Sequence, residues 1–306
     1  MKKIKINFYN MWGGFFTDDN VITNTLKIKY DVETNVPNPD IVICQNTESV
    51  PANRVTSEFK GKSKIIHWYV EAFDRIGKPD HNKCDFSISS CTFENDRNLR
   101  IPLWSMYVDW FNNPYCEGRN QAFLVSPKKL TTPKEKECKK KFCSALTNND
   151  LGYRGEAYPQ FINFAVENGL FVESRGNFCR TAPKLVPHGD ERDKLNWIKD
   201  FKFHLTYDNS DVHGWITEKL LHPMSESVIP IYWGGVNVED EFNKNAFVHI
   251  RNFSNLEEAH EKILEIYKNE DLFHEIQTQP CFPDNKIPEC ATPEFFLPTL
   301  ERFVEA

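Results

Sequence analysis

Two α/β halves are predicted by three observations on the sequence. Short runs rich in β-branched and aromatic residues recur along the chain, each followed by a polar or Gly/Pro-bearing segment. Helical apolar spacing lies among them, at Phe161, Phe164 and Ala165 and again over Leu256 to Tyr267. A lysine-rich stretch, Ser126 to Lys141 (SPKKLTTPKEKECKKK), carries two prolines and no sustained apolar face, and divides the strand-like runs into two sets. The expected organisation is therefore an α/β domain over residues 1–125, a solvated connection over 126–141, and a second α/β domain over 142–306. A polybasic contact with a membrane surface is the sharper alternative for the connection. At 306 residues the chain can build two cores, and it has no internal repeat or low-complexity tract.

In the first half, Ile4 to Tyr9, Ile41 to Cys44, Lys64 to Tyr69 and Phe86 to Ser89 read as strands. In the second, Phe142 to Thr147 reads as a strand and Tyr158 to Asn168 as a helix. Phe203 to Tyr207 follows as a buried strand, and Asp208 to Gly214 as a polar turn. Thr217 can cap a helix beginning at Glu218, which Pro223 should kink or shorten. Val228 to Trp233 is a second buried strand, stopped by Gly234-Gly235. Leu256 to Tyr267 is an amphipathic helix, and Pro293 to Ala306 a helix that could close against either half.

Composition narrows the function. A hydrophobic share of 40% with 13% aromatic excludes a disordered chain. A net charge of -7 and a pI near 5.8 argue against nucleic acid as a partner. Lys5, Asn7 and Asn10 interrupt the N-terminus, so no signal peptide is expected, and no window approaches the roughly 20 apolar residues of a membrane span. Nine cysteines, an odd number without a CxxC, point to a reduced, cytoplasmic chain; Cys281 and Cys290 could pair in a secreted one. There is no Asp-x-Asp, no HxH or HxxxH, and the acidic run Glu239-Asp240-Glu241 reads as a solvated loop, so no metal site is expected.

The segment Phe203 to Gly235 concentrates the chemistry, because it sets a polar cluster between two apolar strands. A helix beginning at Glu218 offers unpaired N–H groups and a positive dipole end, which suit a phosphate. Lys219 adds a full charge there, and Glu218 an acceptor pair for sugar hydroxyls. Asn209 supplies a donor and an acceptor, and Trp215 an aromatic face.

Within that segment YDNS, GWITEK and IPIYWGG resemble the donor-binding motif of the alpha-1,3/1,4-fucosyltransferases, usually FENS, GYVTEK and IPIYWG. Asp208 stands where the family commonly has Glu, and Trp215 where it commonly has Tyr. Lys3 to Phe15 (KIKINFYNMWGGF) is similar to the opening strand and tryptophan-bearing loop of the bacterial members, Arg97 to Leu103 to their RYLRMPL, and Phe247 to Ala259 to their FVNVHDFKNFDEA. Nothing aligns residue by residue over Phe111 to Lys141 or Ser174 to Asn196.

The resemblance implies two Rossmann-like domains facing a cleft, the GT-B architecture, with the acceptor held by the first half and the nucleotide sugar by the second. It implies GDP-fucose as donor substrate, an oligosaccharide acceptor, no cofactor and no metal. Glu71, in the YVEAFD turn where bacterial members have the Glu of FTGEN, would be the base, with Asp74 as the backup. Arg154, in LGYRGEAYPQF, and Lys219 would neutralise the departing diphosphate, and Asn209, Trp215 and Glu218 would hold the rest of the donor. A transferase using another nucleotide sugar, motivated by Asp208 and Trp215, and an inactive glycan-binding protein of the same fold are the alternatives.

Overall fold

The computed structural model describes residues 1–46, 52–112, 124–183 and 191–306, and for residues 191 and 192 the backbone alone. It divides into two compact units: Met1–Met106 with Val212–Trp215 and Pro288–Ala306, and Tyr107–Asp211 with Ile216–Ile287.

The first unit runs β1 (Lys2–Tyr9), α1 (Val21–Leu26), β2 (Tyr30–Thr34), β3 (Ile41–Gln45), α2 (Asn53–Phe59), β4 (Lys64–Tyr69), α3 (Phe73–Ile76), β5 (Phe86–Ser89) and β6 (Asn98–Arg100). The strands form a parallel sheet of order β2-β1-β3-β4-β5-β6. All four strands expected in this half are present, because runs such as IVIC and IIHWY bury both faces, as a helix-covered parallel sheet requires. Asn20 starts α1 by accepting from Ile22 N and Thr23 N at 3.1 and 3.0 Å.

The second unit contains α4 (Pro127–Thr131), β7 (Lys141–Ala145), α5 (Arg154–Glu167), β8 (Val172–Ser174), α6 (Glu191–Ile198), β9 (Phe201–Tyr207), α7 (Glu218–Ser225), β10 (Ile229–Trp233), α8 (Val238–Glu241), β11 (Val248–His249), α9 (Leu256–Lys268) and α10 (Glu270–Gln277). Its parallel sheet has the order β11-β10-β9-β7-β8. β9 is buried at every position, and its Phe203 and Leu205 share one core with Phe161 of α5 and Ile263 of α9. Helix α9 is capped by Asn255, which accepts from Glu258 N at 2.9 Å. Helix α7 is short, ending two residues after Pro223, in line with the shortening expected there.

The expected domain boundaries are corrected in two places. Residues 107–125 and the lysine-rich stretch 126–141 belong to the second unit. That stretch is not a free linker: it forms α4, and Lys139 is buried with its Nζ bonded to Glu137, Lys199 O and Glu226 O at 2.6, 2.8 and 2.9 Å. The last helix, α11 (Pro293–Glu305), belongs to the first unit, although residues 142–306 were expected to be one domain. Its Phe296, Leu300 and Phe303 complete the core around Ile4, Ile6, Ile22 and Leu26, and Phe303 stacks on Phe86 at 4.2 Å. The chain returns because the first sheet's apolar face needs that cover.

No helix among the described residues is long and apolar enough to cross a membrane. Seven of the described cysteines, Cys281 among them, are free thiols; Cys116 lies outside the described residues.

Candidate nucleotide site in the second unit

From β7 the chain steps to β8 on one side, and from β9 to β10 and β11 on the other, so the strand order reverses between β7 and β9. The carboxyl ends of strands flanking such a reversal are where open α/β sheets bind ligands. Arg154, the first residue of α5, occupies that position. Its Nε donates to Tyr207 O at the end of β9, and its Nη1 to Asn149 Oδ1 beyond β7, both at 2.8 Å. The side chain is only 4% exposed, and no carboxylate among the described residues pairs with it directly. A buried guanidinium so placed is a strong anion site.

Gly152 allows the approach. Its φ is +64°, and a Cβ there would lie 2.6 Å from Asn209 O, so the loop before α5 packs its backbone against the end of β9. Asn209, half-buried, thus sits directly against the turn that delivers Arg154.

On the other side of β9 stands Asp208, fully buried. It accepts from Thr217 Oγ1 at 2.5 Å and Tyr232 Oη at 3.0 Å, and Lys219 Nζ lies 3.9 Å away. Burial pushes its carboxyl up to about 6, with Glu218 adding to the rise, against the pull of Lys219, Thr217 and Arg154. Gly234 leaves room for this knot, since a Cβ there would be 2.3 Å from Tyr232 Oη and 2.7 Å from Asp208 Oδ2.

Thr217 caps α7 as expected, accepting from Lys219 N at 3.3 Å, and Lys219 Nζ is 3.3 Å from Glu218 Oε1. Burial pushes the Glu218 carboxyl up, but Lys219, Lys194 and His222 outweigh it and hold it down near 2. Lys194, in α6, and His222, in α7, are themselves buried and 3.0 Å apart. Glu218 is therefore an ionised acceptor at neutral pH, set in a cationic surround.

Four of the expected residues, Arg154, Asn209, Glu218 and Lys219, belong to this unit, at strand and helix ends. Glu71 belongs to the first unit, two residues past the end of β4. Its side chain is 33% exposed, Oε1 accepts from Ala72 N at 3.3 Å, and Oε2 is 3.8 Å from Arg75 Nε. Asp74 lies in the first turn of α3. Trp215 belongs to the first unit instead, where it is 2% exposed and packs with Tyr69, Ala72, Phe73 and Cys91 in a core cluster. Its aromatic face is used in packing. The acidic run 239–241 also departs from a solvated loop, forming α8 with Glu241 buried and Glu239 bonded to His249 at 3.0 Å. Among the described residues no group of three His, Cys, Asp or Glu is set to hold a metal ion.

Asn149, Lys194 and His222 carry no local signal in the sequence, because folding brings them in from separate elements. Asp208 had a signal, its place at a strand end inside the motif, but burial is what makes it the hub of the cluster.

Two Rossmann-like units, one with a cationic cradle at its switch point, define a protein of the GT-B fold class. Residues 156–277 match the family model "Glycosyltransferase family 10 (fucosyltransferase) C-term". That segment is therefore a C-terminal domain of this fucosyltransferase family. It is 27% identical over 213 residues to alpha-(1,3)-fucosyltransferase FucT of Helicobacter pylori, a match covering 62% of this chain and 43% of that protein. It is 33% identical over 182 residues to GDP-fucose protein O-fucosyltransferase 3 of Xenopus tropicalis, covering 58% and 37%. The chain thus matches less than half the length of either relative. In fold, it resembles a crystal structure of an alpha1,3-fucosyltransferase with a TM-score of 0.73 at 20% identity, covering all of this chain and 91% of that one. The same kind of enzyme with GDP-fucose gives a TM-score of 0.69 at 20% identity, covering 100% and 92%.

Proposed function

We propose that the protein is an inverting fucosyltransferase that moves L-fucose from GDP-fucose to a hydroxyl of a GlcNAc or Glc unit of a glycan, in alpha-1,3 or alpha-1,4 linkage, without a metal. The observation that carries this reading is the buried Arg154 guanidinium, anchored to Tyr207 at the end of β9 and to Asn149 beyond β7, with no carboxylate among the described residues paired to it. A diphosphate supplies the anion such a site calls for. The family match and the GDP-fucose held by a protein of the same fold support guanosine and fucose among nucleotide sugars.

In the proposed reaction the acceptor oxygen attacks the anomeric carbon on the face opposite the diphosphate, and the carbon–oxygen bond to the β-phosphate breaks. Glu71 takes the hydroxyl proton. The charge that develops on the leaving GDP falls to Arg154 and Lys219, which do the work a divalent ion does elsewhere. Ionised Glu218 and the amide of Asn209 hold hydroxyl groups of the donor. A cytoplasmic setting belongs to the same proposal, in keeping with the buried free thiols Cys44, Cys84, Cys91, Cys143 and Cys281.

The test is a thermal-shift panel of nucleoside diphosphates and nucleotide sugars, run with EDTA, followed by transfer assays on glycan and peptide acceptors. GDP and GDP-fucose at a hundredfold their Kd should add about 2.7 kcal/mol of stability. Stabilisation by uridine or thymidine nucleotides alone defeats the donor assignment. Glu71→Gln should keep GDP binding and lose transfer; near-normal turnover removes Glu71 from the mechanism.

A further inference from the structure

The first unit has its own reversal of strand order. From β1 the chain moves to β2 on one side, and β3, β4, β5 and β6 follow on the other, so the carboxyl ends of β1 and β3 flank a switch point. The loop leaving β1 there is Asn10 to Phe16, NMWGGFF. Asn10 turns the chain with φ 58° and ties it to β3, its Nδ2 donating to Cys44 Sγ at 3.3 Å. Gly14 has φ +81°, and a Cβ on either Gly13 or Gly14 would meet nothing within 4 Å among the described residues.

Beside those glycines Trp12 is 42% exposed. Phe15 lies 4.8 Å from it at 76° and Trp68 5.7 Å at 66°, both edge-on, so neither ring lies parallel on the indole. Phe15 also packs edge-on against Trp68 at 6.0 Å, making a three-ring support. Trp68 is fully buried in β4, three residues before Glu71, and its Nε1 has no hydrogen-bond partner among the described residues. The unit thus holds a large, braced aromatic surface at the ligand end of its sheet, on the same end as the candidate base.

We infer that Trp12 is the platform on which the acceptor sugar stacks, its indole against the apolar C–H face of a pyranose ring. Binding sites for neutral ligands join an aromatic wall to a few polar groups. A saccharide satisfies both, and its hydroxyls leave no charge to place. This inference rests on the fucosyltransferase reading and names a specificity residue within it.

Trp12→Ala and Trp12→Phe test it against the wild type. In Trp12→Ala the KM for N-acetyllactosamine should rise about tenfold or more while kcat stays within about twofold, and Trp12→Phe should restore most of the loss. GDP affinity and acceptor-free hydrolysis of GDP-fucose should be unchanged in both. Titrating N-acetyllactosamine without donor should quench or shift tryptophan fluorescence in the wild type and not in Trp12→Phe. An unchanged KM in Trp12→Ala, or a fluorescence response that persists in Trp12→Phe, overturns the inference. Failure of the wild type to bind GDP-fucose refutes the parent reading instead, and the donor-free titration separates that result from a failure of the platform.

Discussion

Replacing Asp208 by Asn offers a prediction whose size follows from burial. The carboxyl rises from an ordinary 3.8 to about 6, chiefly because a fully buried carboxylate has lost its water. At about 1.4 kcal/mol per pH unit, ionised Asp208 costs the native state about 3 kcal/mol. The sign follows from proton binding. Between pH 3.8 and about 6 the folded chain holds this proton while the unfolded chain has released it, so stability from this residue falls as pH rises through that window. Below the window there is no cost, and above it the cost is complete. Asn keeps the shape and the bond from Thr217 Oγ1, but its amide must donate to Tyr232 Oη, a mismatch of about 1 kcal/mol. The variant should therefore be less stable than wild type by about 1 kcal/mol near pH 4 and more stable by about 2 kcal/mol at pH 7.5. Urea unfolding of both proteins across that range measures the difference directly, with the other titrating groups cancelling. A difference that is flat with pH, or largest in acid, would refute the assignment of a buried, ionisable Asp208.

Glu218 behaves oppositely, since its carboxyl is held near 2. It stabilises the fold above its ordinary 4.5 and loses that contribution as pH falls towards 2; Glu218→Gln should cost about 3 kcal/mol at pH 7, read by urea unfolding. Arg154→Ala should weaken GDP binding about a hundredfold by calorimetry, each charge-assisted bond to phosphate being worth about 1.5–3 kcal/mol. Unchanged affinity would remove Arg154 from the donor site. Phe303→Ala should destabilise the first unit by about 3–5 kcal/mol, because the ring is fully buried and stacked on Phe86. A much smaller loss in denaturant titration would show that α11 is not part of that core.

The local structure was legible in the sequence because it depends on short-range pattern. Continuous apolar runs such as Phe203 to Tyr207 become strands buried on both faces, Thr217 becomes a cap, and Pro223 shortens its helix wherever the segment is placed. The family motif likewise marked Lys219, Glu218 and Asn209, since those residues lie close together along the chain. Tertiary structure alone decided what depends on partners distant in sequence. It anchored Arg154 between Asn149 and Tyr207, and it brought Lys194 to Glu218 and His222. It buried Trp215 among Tyr69, Phe73 and Cys91, and it returned α11 to the first sheet, nearly 300 residues after β1. Charge and burial at a site are sums over neighbours in space, whereas helix caps and strand faces are set by neighbours in sequence.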